Sequence, residues 1–308
     1  MRDLEVDHFG PWVIEISAAD PPSPLFVPYL TRQEAPLLSL KIPRKIDTRS
    51  ARPGMNLYDF LISLYDKDLV ILQRMGDTAA EHTFLYGDIQ FLRYGEKLLK
   101  GMVQIGLRDQ TFELPFNTVS GNLMQRMVAL IRERYCTAPH RLPALEGFPG
   151  HVQGLSYYFR GLLLKTDLGE PQLCLLAAQV NTPIASTEPH GLNSILYRAV
   201  GKILLESLHW SDGRELKIVT RGQDYKYKWQ AHYAKETTYI PLQKITGYRW
   251  QSDTRHAAVT HLWIELPAEP LSFIFTVDNS FIPPYTRFLD AVSTPLSREE
   301  HLFPAPMA

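Results

Sequence analysis

Four blocks of sequence recur in the same order in the two halves of the chain, and this internal repeat constrains the fold more than any other feature. The matched pairs are residues 65–76 with 211–222, 82–95 with 237–250, 102–107 with 261–266, and 125–131 with 286–292. Each block keeps its strand or helix period, the alignment places Arg126 on Arg287, and a one-residue gap in the second pair of blocks places Ile89 on Ile245. A recurrence of this kind indicates a structural unit that is built twice.

Each half consists mostly of short segments with strand character that precede one amphipathic helix. The predicted strands of the first half are residues 68–74, 82–86, 89–94, 101–107 and 111–116, and those of the second are 215–221, 225–234, 237–241, 245–250, 259–266 and 271–277. Helical spacing of apolar residues predicts the closing helices over 118–135 and 284–292. Aromatic residues make up 11% of the chain, which also favours strands. The fold class is therefore predicted to be mainly β (α+β).

Three further segments carry local patterns of their own. Leu57, Phe60, Leu61 and Leu64 fall at i, i+3, i+4 and i+7, which predicts a helix over residues 56–64. A similar apolar stripe predicts a helix over residues 193–208. Residues 154–165 are predicted to form a strand.

The length of 308 residues fits about two domains. Prolines and glycines concentrate in residues 139–150, which predicts a linker between a first domain over 1–138 and a second over 151–296. Residues 297–308 are predicted to be a flexible tail. The two units are expected to pack against each other or to swing on the linker.

Strands followed by a closing helix, in each half, resemble the pleckstrin-homology-like (PH-like) fold in its bacterial form. The resemblance is carried by residues 68–74, 84–89, 102–107, 112–116 and 122–134, and by their counterparts in the second half. Tyr86-Gly87-Asp88-Ile89 fits the segment that opens the middle strand of such domains, and the second half departs from it with Leu242-Gln243-Lys244-Ile245. The resemblance implies two strongly bent antiparallel sheets or partial barrels, each closed by its C-terminal helix. It also implies binding to proteins or to membrane surfaces.

The chain carries no motif that predicts catalysis, a cofactor or a metal ion. It lacks the glycine-rich phosphate loop, the nucleophile elbow and paired histidines at metal-ligand spacing. The formal net charge of −1 argues against a general nucleic-acid binder, and sequence-specific binding to nucleic acid is not expected. Cys136 and Cys174 lie far apart, as expected of free thiols in a reducing compartment. The charged N-terminus and the short apolar runs predict a cytoplasmic protein.

The segment over residues 212–255 has nine basic residues against five acidic ones, interleaved with tyrosines and tryptophans. This pattern predicts a surface that attracts a lipid headgroup, an acidic partner or stacked single-stranded nucleic acid. The candidate binding residues are Arg221, Lys226, Lys228 and Arg249. The alternative interpretation is an ordinary strand with an aromatic core face and a lysine-rich solvent face.

The function predicted from these features is a non-catalytic binding or scaffolding protein that recognises a protein partner or a membrane-surface anion. Two alternatives come from other classes of protein. One is an enzyme with a site in the cleft between the units, using Glu188, His190 or Asp278. The other is a sensor that holds an apolar small molecule in an interior cavity of a few hundred Å3, about the size of known ligand pockets. Oligomeric state stays open.

Overall fold

The computed structural model of the chain describes residue 6 and residues 9–135, 152–169, 173–184, 202–227, 231–256 and 258–293. Within these ranges the protein is mainly β, with several antiparallel sheets and three α-helices. Every described sheet is open, and none closes into a barrel. The linker predicted over residues 139–150 and the tail predicted over 297–308 lie outside the described residues.

The described strands and helices follow one another along the chain in a simple order. The strands are β1 (Ile14–Glu15), β2 (Leu38–Pro43), β3 (Tyr58–Leu64), β4 (Asp68–Met75), β5 (Thr78–Leu85), β6 (Phe91–Lys97), β7 (Lys100–Gly106), β8 (Thr111–Asn117), β9 (Cys174–Gln179), β10 (Thr182–Ile184), β11 (Lys202–Leu204), β12 (Ser207–Ser211), β13 (Glu215–Thr220), β14 (Tyr225–Tyr227), β15 (Ala234–Pro241), β16 (Gly247–Ser252), β17 (Val259–Glu265) and β18 (Leu271–Thr276). The helices are α1 (Gly121–Tyr135), α2 (Tyr157–Gly169) and α3 (Ile282–Ser293).

Strands β1 to β5 form one antiparallel meander, and β16 to β18 form another. Strands β10, β11 and β14 form a small third sheet. The largest sheet has the order β8-β7-β6-β15-β13-β12-β9 and therefore contains strands from both halves of the chain. The halves meet where β6 pairs antiparallel with β15, with Tyr94 opposite Thr237 and Arg93 opposite Thr238. The two halves are thus joined by a continuous ladder of backbone hydrogen bonds.

The helix predicted over residues 56–64 is wrong, because Tyr58–Leu64 form β3. Ile62 and Leu64 belong to one hydrophobic cluster, while Leu57 and Leu61 belong to another on the opposite face. A strand that is buried on both faces loses the alternation of polar and apolar residues. Its apolar residues can then imitate the spacing of a helix.

The strand predicted over residues 154–165 is also wrong, because α2 begins at Tyr157. Leu155, Phe159 and Leu163 are all buried and lie four residues apart, so they form one stripe facing the sheet. Ser156 precedes the first turn, and its hydroxyl accepts a hydrogen bond from the N–H of Phe159 at 3.4 Å. A serine in this position is a helix N-cap signal.

The helix predicted over residues 193–208 is wrong where the structure describes it. Lys202–Leu204 form β11, and Ser207–Ser211 form β12. Leu204 and Leu208 are both buried, but they belong to different hydrophobic clusters under different sheets. Residues 193–201 lie outside the described part of the chain.

The segments that match in sequence occupy the same places in the two series of elements. In the first half, β4 and β5 are followed by a short 3-10 turn, then β6, β7, β8 and α1. In the second half, β13 and β15 are followed by a short 3-10 turn, then β16, β17, β18 and α3. Ile89 and Ile245 each end that turn, with an N–H donating to the first carbonyl of the turn at 3.2 and 3.1 Å, and both are buried.

Helices α1 and α3 each pack an apolar stripe against strands, mostly those of their own half. Met124, Met127 and Ile131 of α1 share a cluster with residues of β2 to β4 and β6 to β8. Phe288 and Leu289 of α3 share another with residues of β13 and β15 to β18. None of the described helices is both long enough and apolar enough to cross a membrane.

Candidate anion-binding site

The residues predicted from the basic segment lie on different elements. Arg221, immediately after β13, pairs with the buried carboxylate of Glu206 at 3.3 Å and covers the rings of Tyr158 and Phe159. Its guanidinium therefore holds the N-terminal turn of α2 against the sheet. Lys226 lies half-buried on β14, where it is opposite Ile203.

The other two candidates lie elsewhere. Arg249 lies on β16, pairs with Glu265 and covers the ring of Trp263. Lys228 lies outside the described residues. Partner binding by this set of four residues stays a prediction.

The residues of the enzyme alternative do not form a described site. Glu188 and His190 lie outside the described residues, and Asp278 is exposed in the turn that follows β18. Cys174 on β9 is a half-buried free thiol, and burial raises its pKa, which disfavours the nucleophilic thiolate. Cys136 lies outside the described residues.

A cavity of about 350 Å3 lies between α1 and α2, on one face of the seven-stranded sheet. Strands β13 and β15 form its floor, and the two helices form its walls. Its lining residues are Tyr94, Gln125, Val128, Ala129, Arg132, Leu162, Lys165, Trp210, Lys217, Val219, Lys235, Thr237 and Tyr239. We call it the lysine cavity, after Lys165, Lys217 and Lys235.

Strand alternation explains why polar side chains meet on this floor. Lys235, Thr237 and Tyr239 occupy every second position of β15, so they project from the same face. In the register of the sheet, Lys217 lies opposite Tyr239 and Val219 lies opposite Thr237. The opposite face of the same two strands carries Leu216, Ile218 and Ile240, which pack into the core beneath α3.

The three lysines bring positive charge into a partly desolvated space. Lys165 is exposed at the rim on α2, whereas Lys217 and Lys235 are half-buried. Burial lowers the pKa of Lys235, the nearby Lys217 and Lys165 lower it further, and Glu96 opposes the shift. The ammonium of Lys235 is therefore less stable here than in water, and a bound anion would relieve this cost.

Arg132 is the fourth cation of the lysine cavity, and it is held by groups of the protein. Its guanidinium donates to the carboxylate of Glu215, which is 3% exposed, and lies 4.0 Å from the centre of the Tyr239 ring. The hydroxyl of Tyr135 donates to the same carboxylate. This cluster ties the last turn of α1 to the first residue of β13 and thereby fixes one wall of the cavity.

Trp210 contributes a polar group that has no hydrogen-bond partner in the described residues. Its indole ring is 1% exposed and lines the lysine cavity from β12, and its Nε1–H is buried without an acceptor. Buried N–H groups in proteins are nearly always paired.

A second, smaller cavity of about 190 Å3 adjoins the first and shares Ala129 and Arg132 with it. Its remaining lining residues are Glu133, Asp212, Arg214 and Glu215, so it carries charges of both signs. The excess of positive charge is thus confined to the lysine cavity.

Part of this site is signalled in the sequence. Lys217 and Lys235 belong to the basic segment, and the alternation over residues 235–239 is visible in the printed chain. Trp210 and Lys165 carry no such signal. The pattern around Trp210 predicts only a turn, and the pattern around Lys165 predicts a strand.

Comparisons with protein families and with curated proteins found no match.

Proposed function

We propose that this chain is a non-catalytic binding protein that recognises an anionic group of a protein partner in the lysine cavity. The observation that carries the proposal is the convergence of Lys165, Lys217 and Lys235 on one cavity. Carboxylates and phosphates are the groups that such donors bind best. In a scaffolding protein, the bound carboxylate would belong to an acidic segment of a protein partner.

We also propose that the chain consists of two PH-like units in tandem, each closed by its C-terminal helix. The matched order of strands, 3-10 turn and helix in the two halves supports this proposal. The equivalent positions of Ile89 and Ile245 support it at residue level. On this view the lysine cavity forms where the closing helix of the first unit meets the sheet of the second.

The composition of the cavity favours an anion over the apolar ligand of the sensor alternative. Its volume of about 350 Å3 suits a small ligand, or one or two side chains of a partner. Its walls include the apolar residues Val128, Leu162 and Val219, but three lysines reach the same space. An uncharged apolar molecule would add to the desolvation of the Lys235 ammonium and would offer it no opposite charge.

Isothermal titration calorimetry on the full chain tests the proposal. One arm uses a short oligoglutamate peptide as the acidic segment, and a second uses inorganic pyrophosphate as a free anion. We expect Lys217→Gln/Lys235→Gln to weaken binding by about tenfold or more, because each lysine would contribute a charge-assisted hydrogen bond. We also expect the affinity of the wild type to fall as salt concentration rises.

The matched control is Lys45→Gln/Lys67→Gln, which removes the same charge from two exposed lysines that do not line the cavity. Equal weakening by both double variants would show that only net charge matters and would overturn the proposal. Binding of pyrophosphate without binding of the peptide would keep the anion site but reject the acidic protein segment.

A further inference from the structure

One end of the seven-stranded sheet carries an exposed apolar tip. The hairpin between β6 and β7 turns through only two residues, Leu98 and Leu99, because Lys97 lies opposite Lys100 in the register. The two leucine side chains are 68% and 65% exposed. Leucine ranks among the residues that folding most often buries, so a pair of leucines at a loop tip is unusual.

The backbone of this turn is also unusual for its sequence. Leu98 has φ = 54° and is the only non-glycine residue with positive φ in the described part of the chain. Two-residue hairpin turns with positive φ at the first central residue only normally have Gly at that position. Leucine is disfavoured in this conformation. The tip therefore combines local strain with exposure of apolar surface, a combination that does not favour folding.

Hydrogen bonds from a neighbouring loop hold the tip in place. The hydroxyl of Thr118 donates to the carbonyl of Leu98 at 2.9 Å, and the N–H of Thr118 donates to the carbonyl of Leu99 at 3.2 Å. The next residue, Val119, is 70% exposed. The exposed side chains of Leu98, Leu99 and Val119 therefore belong to two loops that are joined by hydrogen bonds.

Cationic and aromatic residues surround these aliphatic side chains. Lys97 and Lys100 flank the leucines, and both are exposed. Tyr233 is 67% exposed and precedes Ala234, which lies opposite Lys97 in the sheet. Aliphatic residues that enter an acyl layer, lysines at the level of anionic headgroups and tyrosines at the boundary are the pattern of interfacial membrane binding.

We infer that this tip, defined as Lys97, Leu98, Leu99, Lys100, Val119 and Tyr233, docks reversibly on an anionic lipid bilayer. Leu98, Leu99 and Val119 enter the boundary between headgroups and acyl chains, and Lys97 and Lys100 contact lipid phosphates or carboxylates. The charge complementarity of the two lysines selects an anionic surface over a neutral one. This inference goes beyond the lysine cavity and does not depend on it, since no residue of the tip lines the cavity.

Vesicle sedimentation of the full chain tests the inference. We expect the wild type to sediment with vesicles of equal parts phosphatidylcholine and phosphatidylserine, and not with vesicles of phosphatidylcholine alone. We expect Leu98→Asn/Leu99→Gly to reduce vesicle binding by at least about tenfold, because it removes two inserted side chains. Asn tolerates the positive φ of position 98 better than Leu does, so the unfolding midpoint of the variant in urea should be close to that of the wild type.

Two control variants test whether vesicle binding belongs to the tip itself. Met75→Gln/Leu85→Gln removes two exposed apolar side chains elsewhere and should leave vesicle binding unchanged. Lys217→Gln/Lys235→Gln should also leave it unchanged, which distinguishes failure of the tip from failure of the lysine cavity.

Equal sedimentation of the wild type and the Leu98→Asn/Leu99→Gly variant would overturn the inference, as would no sedimentation at all. Concentration-dependent dimerisation that this variant abolishes, without vesicle binding, would also overturn it. The tip would then be assigned to contact with a second copy of the chain.

Discussion

Lys235 lines the lysine cavity in a position where its charge lowers the stability of the folded protein. Its ammonium lies on the half-buried floor of a cavity near two other lysines, and burial with those two charges lowers its pKa below the usual 10.5. An apolar side chain of similar length would avoid this desolvation and repulsion. Residues that oppose stability in this way are often found at functional sites.

We expect Lys235→Met to raise the free energy of unfolding by about 1 kcal/mol near neutral pH. The folded pKa of Lys235 is lower than the unfolded one, so the folded state releases its proton first as pH rises. The free energy of unfolding of the wild type should therefore rise as pH rises from the lowered pKa of Lys235 to 10.5. The difference in free energy of unfolding between Lys235→Met and the wild type should decrease over the same pH range.

Urea denaturation of both proteins at several pH values measures this difference. Lys45→Met is a matched control at an exposed lysine. A Lys235→Met variant that is less stable than the wild type at every pH would contradict this view of the residue.

At the scale of elements, helix α1 packs on the strands of the first half and also contacts β13 of the second half. Met124, Met127 and Ile131 face the core of the first half. Arg132 and Tyr135, one turn further on, reach the buried carboxylate of Glu215 on β13. The carbonyl of Tyr135 also accepts a hydrogen bond from the side-chain amide of Gln243 at 3.1 Å.

A double-mutant cycle measures the coupling free energy between Arg132 and Glu215. We expect Glu215→Leu to lower the free energy of unfolding by about 3 kcal/mol or more, because it leaves the guanidinium of Arg132 without its anion. Arg132→Met/Glu215→Leu should recover part of this loss, because it removes both charges together. The cycle is measured by urea denaturation, and additive effects of the two single substitutions would show that the pair is not coupled.

The spacing of apolar residues predicts helices and strands well where an element is buried on one face only. It predicts them poorly where an element is buried on both faces, as in β3. The alternation in β7 and β8 and the apolar stripes of α1 and α3 follow directly from one-sided packing. The pattern of β3 predicts a helix because both faces of the strand are buried. The stripe of α2 is hard to recognise because its aromatic residues also favour strands, although Ser156 supplies a cap signal.

At the scale of the whole molecule, the pairing of β6 with β15 is the feature that the sequence does not predict. The repeat predicts the order of elements within each half, and two units that pack together or swing on a linker. The sequence carries no mark of which edge strands pair, since residues 94 and 237 are far apart along the chain. The ladder between them creates the sheet on which the lysine cavity lies.

The cavity itself follows from this arrangement. The first half contributes α1 and Tyr94, and the second contributes α2 and the strands with Lys217 and Lys235. The candidate site is therefore only partly predictable, since the basic segment contains two of the lysines but not their meeting point with α1. Of the residues predicted from the sequence, Arg221, Lys226 and Arg249 do not line the cavity, and Lys228 lies outside the described residues.

Pulse labelling of lysine amines, quantified by mass spectrometry with and without pyrophosphate, tests most directly whether the three lysines form one anion site. We expect Lys165, Lys217 and Lys235 to be labelled more slowly when the anion is present, while Lys45 and Lys67 keep their rates. The anion would occupy the cavity and stabilise the unreactive ammonium forms. Protection of all lysines to the same extent, or of none of them, would contradict the assignment of an anion site to this cavity.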